Sequence, residues 1–214
     1  MSNPEIISDV IPGIIRILLV DDHPLVRDGL RARLETVPNF AVVGEADSAE
    51  QALQHVAALA VDLVLMDINL GGMNGIELTG RLSVAYPDIA VLMLSMHDKA
   101  EYVRQAIQAG ARGYVLKDAP ATDIISAIDT VMSGGHYYSA GLSYQLDQMA
   151  PASLLTPREK EILQRIATGK SNKHIARDLG LSFRTVETHR LNIKRKLGIE
   201  GQADLIRFAL EQTI

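Results

Sequence analysis

The sequence predicts an α/β fold, a five-stranded doubly wound parallel sheet, followed by a second, smaller all-α domain. Three observations carry this reading. The run Leu63-Val64-Leu65-Met66 is apolar without alternation, as in a strand buried on both faces, and it ends in Asp67. Three further apolar runs also end in polar groups: Ile17 to Val20 before Asp21 and Asp22, Val91 to Leu94 before Ser95, and Tyr114 to Leu116 before Lys117. Charge is divided unevenly: residues 1–150 hold 9 Lys and Arg against 19 Asp and Glu, while residues 151–214 hold 12 against 7. A mildly acidic whole, at net charge -5, therefore hides a basic tail module that favours a polyanionic partner.

The elements follow in order. Residues 1–14, with Pro4, Pro12 and Gly13, read as a loose arm. The first strand covers 16–20, and Pro24 opens a helix to about Glu35, because the N–H that proline lacks is not needed in a first turn. After Pro38 and Asn39 comes a short strand over Ala41 to Glu45. Ser48 and Gln51 form a capping box ahead of a helix over Ala52 to Leu59. The strand to Asp67 leads into the loop Asn69-Leu70-Gly71-Gly72-Met73-Asn74-Gly75, then a helix from Ile76 to Ala85 that ends before Pro87. A fourth strand, a helix over 98–109 stopped by Gly110, a fifth strand and a helix from Pro120 and Thr122 to Met132 complete the domain. Residues 136–153 read as a linker, with one short helix around Leu142 to Met149.

Composition excludes several chemistries. The chain has no cysteine, so disulfides, thiol catalysis and thiolate zinc sites are out. The six histidines have no metal-binding helical spacing. No apolar run is long enough for a membrane span and the first residues lack signal-peptide order, so the expectation is a soluble, cytoplasmic protein without membrane contact.

If the strands are parallel, their polar ends converge on one edge, where open α/β sheets collect ligands. Asp21, Asp22 and Asp67 would repel one another in a partly dry cleft, which raises their proton affinity or demands a cation. Magnesium held by these carboxylates, waters and the Asn69 backbone carbonyl answers that demand. A carboxylate beside such an ion can accept a phosphoryl group, with Lys117 and the Ser95 hydroxyl holding the phosphoryl oxygens. Taken singly, each residue has an ordinary structural use, as a helix cap, turn residue or strand end.

The basic module opens with Thr156-Pro157-Arg158-Glu159, a capping box with proline at the first helical position. A second helix starts at Ser171 and stops at Gly180, a third runs from Ser182 to about Leu197, and a fourth from near Gln202 to Gln212. Two helices joined by Gly180 to Ser182 in a basic unit suggest a helix-turn-helix. At about 100° per residue, Val186, Ile193 and Leu197 of the third helix face inward. Arg184, Thr188, Leu191 and Arg195 face outward with Glu187 and Lys194 beside them, a mixture suited to base edges in double-stranded DNA. Lys170, Lys173, Lys194 and Lys196 are candidates for phosphates.

Residues 15–135 resemble the receiver domain of bacterial response regulators, with Asp21-Asp22, Asp67, Ser95 and Lys117 at the family's acidic pair, phosphoacceptor, hydroxyl and lysine. The resemblance implies a flavodoxin-like sheet, a sensor histidine kinase as phosphoryl donor, and Tyr114 as the aromatic switch that follows Ser95 inward. It also places Asn69 and His97 where phosphoryl lifetime is tuned. One departure is Gly71, where the family usually has proline. Residues 154–214 resemble the LuxR-type domain through LTPREKEIL, NKHIARDLGLS and TVETHRLNIKRKLG, and the pair of domains is that of the NarL/FixJ group. Glu187 stands where relatives often carry lysine, so their base preference is not transferred. The resemblance implies a two-component regulator, not an enzyme beyond self-phosphorylation from a donor and slow self-dephosphorylation. Phosphorylation at Asp67 would control homodimerisation and DNA binding, with RNA polymerase as a further partner and the unphosphorylated receiver covering the third helix. The alternatives are a constitutive DNA binder and a magnesium-dependent phosphohydrolase.

Overall fold

The computed structural model describes residues 13–139, 141–142 and 154–211. Strands β1 (Ile15–Val20), β2 (Phe40–Ala46), β3 (Leu63–Asp67), β4 (Ala90–Ser95), β5 (Gly113–Leu116) and β6 (Tyr137–Tyr138) form one sheet, ordered β2-β1-β3-β4-β5-β6. Every pairing is parallel, so all carboxyl ends lie on one edge. Among the described residues the sheet has six strands where the sequence predicts five, and the sixth falls in the expected linker. Two consecutive residues carry no periodicity to read, and β6 exists only because β5 offers it an edge. Gly113 makes room for it: a Cβ there would meet the Tyr137 carbonyl oxygen at 2.9 Å.

Helices α1 (Pro24–Leu34), α2 (Ala49–Ala58), α3 (Gly75–Ala85), α4 (Ala100–Ala109) and α5 (Ala121–Met132) cover both faces. One apolar layer joins β-residues such as Leu18, Val64, Met66 and Met93 to α2, α3 and α4, and the other joins Ile17, Leu65 and Leu92 to α5. All of β3 is buried, which explains its lack of alternation. Ser48 caps α2 as expected, but Gln51 returns its hydrogen bond to the Asp47 amide rather than to the amide of Ser48. Glu45, at the end of edge strand β2, is held by Arg27 and Arg31 and stays out of the cleft.

The basic module is four helices, α6 (Pro157–Ala167), α7 (Asn172–Leu179), α8 (Phe183–Leu197) and α9 (Gln202–Glu211), around a core of Ile162, Ile166, Ile175, Val186, Ile193 and Leu205. Each of the first three starts on a side-chain cap, Thr156, Ser171 or Ser182, and the Thr156–Glu159 box is complete. Gly180 and Gly198 end α7 and α8 in the left-handed conformation that favours glycine. The helix expected around Leu142 to Met149 lies, apart from Leu142, outside the described residues.

Candidate functional site

The parallel register brings the predicted cleft together. Asp21 and Asp67 are buried at the ends of β1 and β3. The Lys117 ammonium donates to Asp21 Oδ2 at 2.6 Å and pairs with Asp67 Oδ2 at 2.8 Å. The Ile68 amide donates to the other Asp67 oxygen, Oδ1, at 2.8 Å. Burial raises the pKa of Asp67, and the Asp21 charge adds to it, against the opposing pull of Lys117 and the Ile68 N–H. Burial works against the Lys117 charge, yet its hydrogen bonds and ion pairs to Asp21 and Asp67 hold its pKa above the ordinary lysine value. The cleft is thus a carboxylate pair whose repulsion is offset by one ammonium.

Sequence reasoning missed His23. Its Nδ1 lies 2.6 Å from Asp22 Oδ1 and 3.2 Å from Asp21 Oδ1, and its backbone N–H donates to Asp21 Oδ1. Asp21, Asp22, His23 and Asp67 each offer one ligand atom, all within 4.8 Å of one another, so the group could hold a metal ion. The only signal in the sequence was adjacency to the acidic pair. Asn69 is exposed in the loop after β3.

That loop returns tightly. Gly72 takes φ +117°, a conformation open to glycine, and Asn74 caps α3 by accepting from the Ile76 amide. Gly75 is required by close approach, since a Cβ there would fall 1.8 Å from the Asp67 carbonyl oxygen. Ser95 is buried at the end of β4, its Oγ accepting from the His97 amide at 2.9 Å. Tyr114 is fully buried and donates its hydroxyl to the His97 carbonyl at 2.8 Å, so the aromatic already occupies an inward position. Burial pushes its phenol pKa up to about 12, which keeps it a hydrogen-bond donor.

The residues expected to read DNA divide. Arg184 Nε lies 3.9 Å from Asp88 Oδ2 of the receiver, and Thr188 Oγ1 lies 3.4 Å from Asp88 Oδ1. The Arg195 guanidinium sits against Gly134, where a Cβ would meet it at 2.3 Å. Glu187, Leu191 and Lys173 are exposed, and Lys194 donates to the Glu200 carbonyl. Lys170 pairs with Asp178. Lys196 departs from its expected role as a phosphate contact: its ammonium is buried against Glu159 at 2.9 Å and lies 3.4 Å from the Ile107 carbonyl of α4. A small cavity of about 20 Å³ lies in this seam, lined among others by Arg112, His136, Glu159, His189 and Lys196. His189 Nε2 is buried there without a hydrogen-bond partner among the described residues.

An acidic cleft on a parallel sheet, joined to a basic helix-turn-helix unit, defines a receiver-type regulator with a DNA-reading module. Residues 17–129 match the response regulator receiver domain, and residues 153–209 match the bacterial regulatory proteins of the luxR family. The chain belongs to this family and is a two-component response regulator with a LuxR-type DNA-binding domain, acting in transcription regulation. Among its relatives, the transcriptional regulatory protein MctR of Rhizobium johnstonii is 46% identical over 203 residues, covering 94% of this chain and 95% of the relative. The response regulator UvrY of Escherichia coli K12 is 36% identical over 204 residues, covering 92% and 94%. The structure of ChrA, the response regulator of a heme-sensing two-component system, is 35% identical with a TM-score of 0.52, covering 94% of this chain and 98% of that one. RcsB bound to DNA shares the fold at 24% identity and a TM-score of 0.60, covering 94% and 100%.

Proposed function

We propose that Asp67 is the phosphoacceptor and that its phosphorylation by a sensor histidine kinase controls DNA binding by α8. The observation that carries this reading is the buried Asp67 carboxylate, paired through Oδ2 with Lys117 beside Asp21. In the transfer, a carboxylate oxygen bonds to phosphorus as the phosphorus–nitrogen bond of a phosphohistidine breaks, and the leaving imidazole takes up a proton. Lys117 then follows the phosphoryl oxygens, and the Ser95 hydroxyl turns from the His97 amide towards them. The donor set is hard and anionic, which fits magnesium on Asp21, Asp22, Asp67 and the Asn69 carbonyl, with His23 against the pair. When bound, that ion neutralises charge on the transferring group.

The output follows from the seam. Asp88 and Gly134 face Arg184, Thr188 and Arg195, three of the outward residues of α8. A receiver seated there competes with DNA for the same side chains, so phosphorylation acts by shifting the balance between closed and open arrangements. The freed modules bind double-stranded DNA as a homodimer in the cytoplasm and meet RNA polymerase there. The protein turns over no substrate beyond its own acyl phosphate.

Intact-protein mass after mixing with magnesium and acetyl phosphate tests this, run beside Asp67→Asn. One added phosphoryl group, absent in the variant, is expected. An unmodified wild type, or equal modification of the variant, would sink the assignment and leave a constitutive DNA binder.

A further inference from the structure

The receiver match ends at residue 129, and the sequence assigns residues 136–153 to a linker, yet Tyr137 and Tyr138 of that stretch join the sheet beside β5, the strand that runs into Lys117. β6 pairs with β5 at Gly113 with Tyr137 and at Tyr114 with Tyr138. The next residue, Ser139, is 4% exposed and makes two bonds to β5. Its N–H donates to the Tyr114 carbonyl at 3.1 Å, and its Oγ accepts from the Leu116 N–H at 3.1 Å. Leu116 directly precedes Lys117, whose own N–H donates to the Ser95 carbonyl at 2.8 Å. The backbone that launches Lys117 is therefore gripped on one side by β4 and on the other by a hydroxyl from beyond the receiver.

The same short segment reaches two other places. Leu142, whose N–H donates to the Ser139 carbonyl, is buried in the apolar layer that also holds Tyr114. At the other end, His136 lies within 3.1 Å of the Arg112 carbonyl and lines the cavity between receiver and α8. Along the chain, Ser139 thus lies between His136, which lines the seam cavity, and Leu142, which packs in the layer of Tyr114.

We propose that Ser139 is a positioning residue of the phosphoryl site, holding the Leu116 amide so that Lys117 reaches Asp21 and Asp67, and that through it the cleft and the linker move together. This rests on Asp67 being the phosphoacceptor. Ser139 acts through the Leu116–Lys117 backbone, and no contact of its own with the phosphoryl group is required. Because the linkage is an equilibrium one, a linker pulled out of register weakens the lysine's hold just as a phosphoryl group alters the linker.

The test is the rate of phosphoryl uptake from acetyl phosphate by the full chain as wild type, Ser139→Ala and Ser139→Thr, with thermal unfolding of each. Loss of the hydroxyl leaves the Leu116 N–H without its partner, so Ser139→Ala is expected to take up phosphoryl roughly tenfold more slowly. Ser139→Thr, which keeps the hydroxyl, restores the rate. In wild type, amide exchange of residues 136–139 is expected to change on phosphorylation, a readout independent of any variant's folding. Equal rates in wild type and Ser139→Ala overturn the proposal, as do a Thr variant as slow as Ala or unaltered exchange over 136–139. A wild type that takes up no phosphoryl group overturns the Asp67 assignment itself, a result distinct from these.

Discussion

The acidic cleft and the interdomain seam both bury charge, with excesses of opposite sign. In the cleft, two carboxylates share one ammonium, leaving excess negative charge that a cation can answer. In the seam, Lys196 pairs with Glu159, Arg112 beside them donates to the Pro87 carbonyl, and His189 Nε2 has no hydrogen-bond partner among the described residues. The first thus carries excess negative charge, whereas the second leaves one cation, Arg112, without an acid of its own among the described residues and packs the two modules together.

Breaking the seam's ion pair should have the largest effect. Lys196→Met leaves Glu159 buried and uncompensated, and should cost about 3–5 kcal/mol in denaturant unfolding of the helical unit. Adding Glu159→Gln should recover part of that loss. If Lys196→Met is neutral, the pair is solvated and does not hold the helical unit together. In the cleft, Gly75→Ala should cost about 1–3 kcal/mol, because the Asp67 carbonyl cannot accommodate a Cβ, and should slow phosphoryl uptake in step. An unchanged uptake rate would mean that Asp67 is positioned independently of α3. The Asp88 contacts are exposed, so Asp88→Ala should raise DNA binding by the unphosphorylated protein only about two- to fivefold in fluorescence anisotropy. A decrease would count against competition between the receiver and DNA.

The smallest effect is a pH dependence. Burial, followed by the Lys196 charge, lowers the pKa of His136. Burial also lowers that of His189, where Arg158 and Lys196 act with it and Glu159 opposes. Lowered values mean that the closed seam favours the neutral form of both rings. Its stability is fully present above the ordinary histidine pKa of 6.5 and falls as acid charges the rings in the open form first. Small-angle scattering should show the protein expanding as pH drops below that value, an expansion reduced in His136→Asn. Compaction on acidification would reverse the sign and refute the account.

The two regions also differ in how far the sequence reveals them. Asp21, Asp67, Ser95 and Lys117 were legible because each ends an apolar run, and a parallel sheet sends every such end to one edge. Asp88 carries no comparable mark, lying in a turn before β4 and meeting Arg184 and Thr188 only through the packing of one domain on another. Helical angle placed Arg184, Thr188 and Arg195 on the outward face of α8 correctly, but an angle does not say what the face meets. Lys196 shows the same limit: its charge suggested phosphate, while Glu159, fixed as the third helical residue of the Thr156 capping box, claims it. His23 and β6 were missed for a third reason, since a single histidine or a pair of tyrosines has no period to detect.

We propose that acylphosphate formation at Asp67 and opening of the seam are one equilibrium. The chain has no native cysteine, so spin labels at Glu77→Cys on α3 and Arg207→Cys on α9 would be unique reporters of the distance between the domains. That distance should be measured by pulsed electron resonance with and without magnesium and acetyl phosphate, in the wild-type background and in Asp67→Asn. A longer, broader distribution is expected on phosphorylation, with none of that change in the Asp67→Asn background. An unchanged distribution in a chain shown by mass to be fully phosphorylated would contradict it.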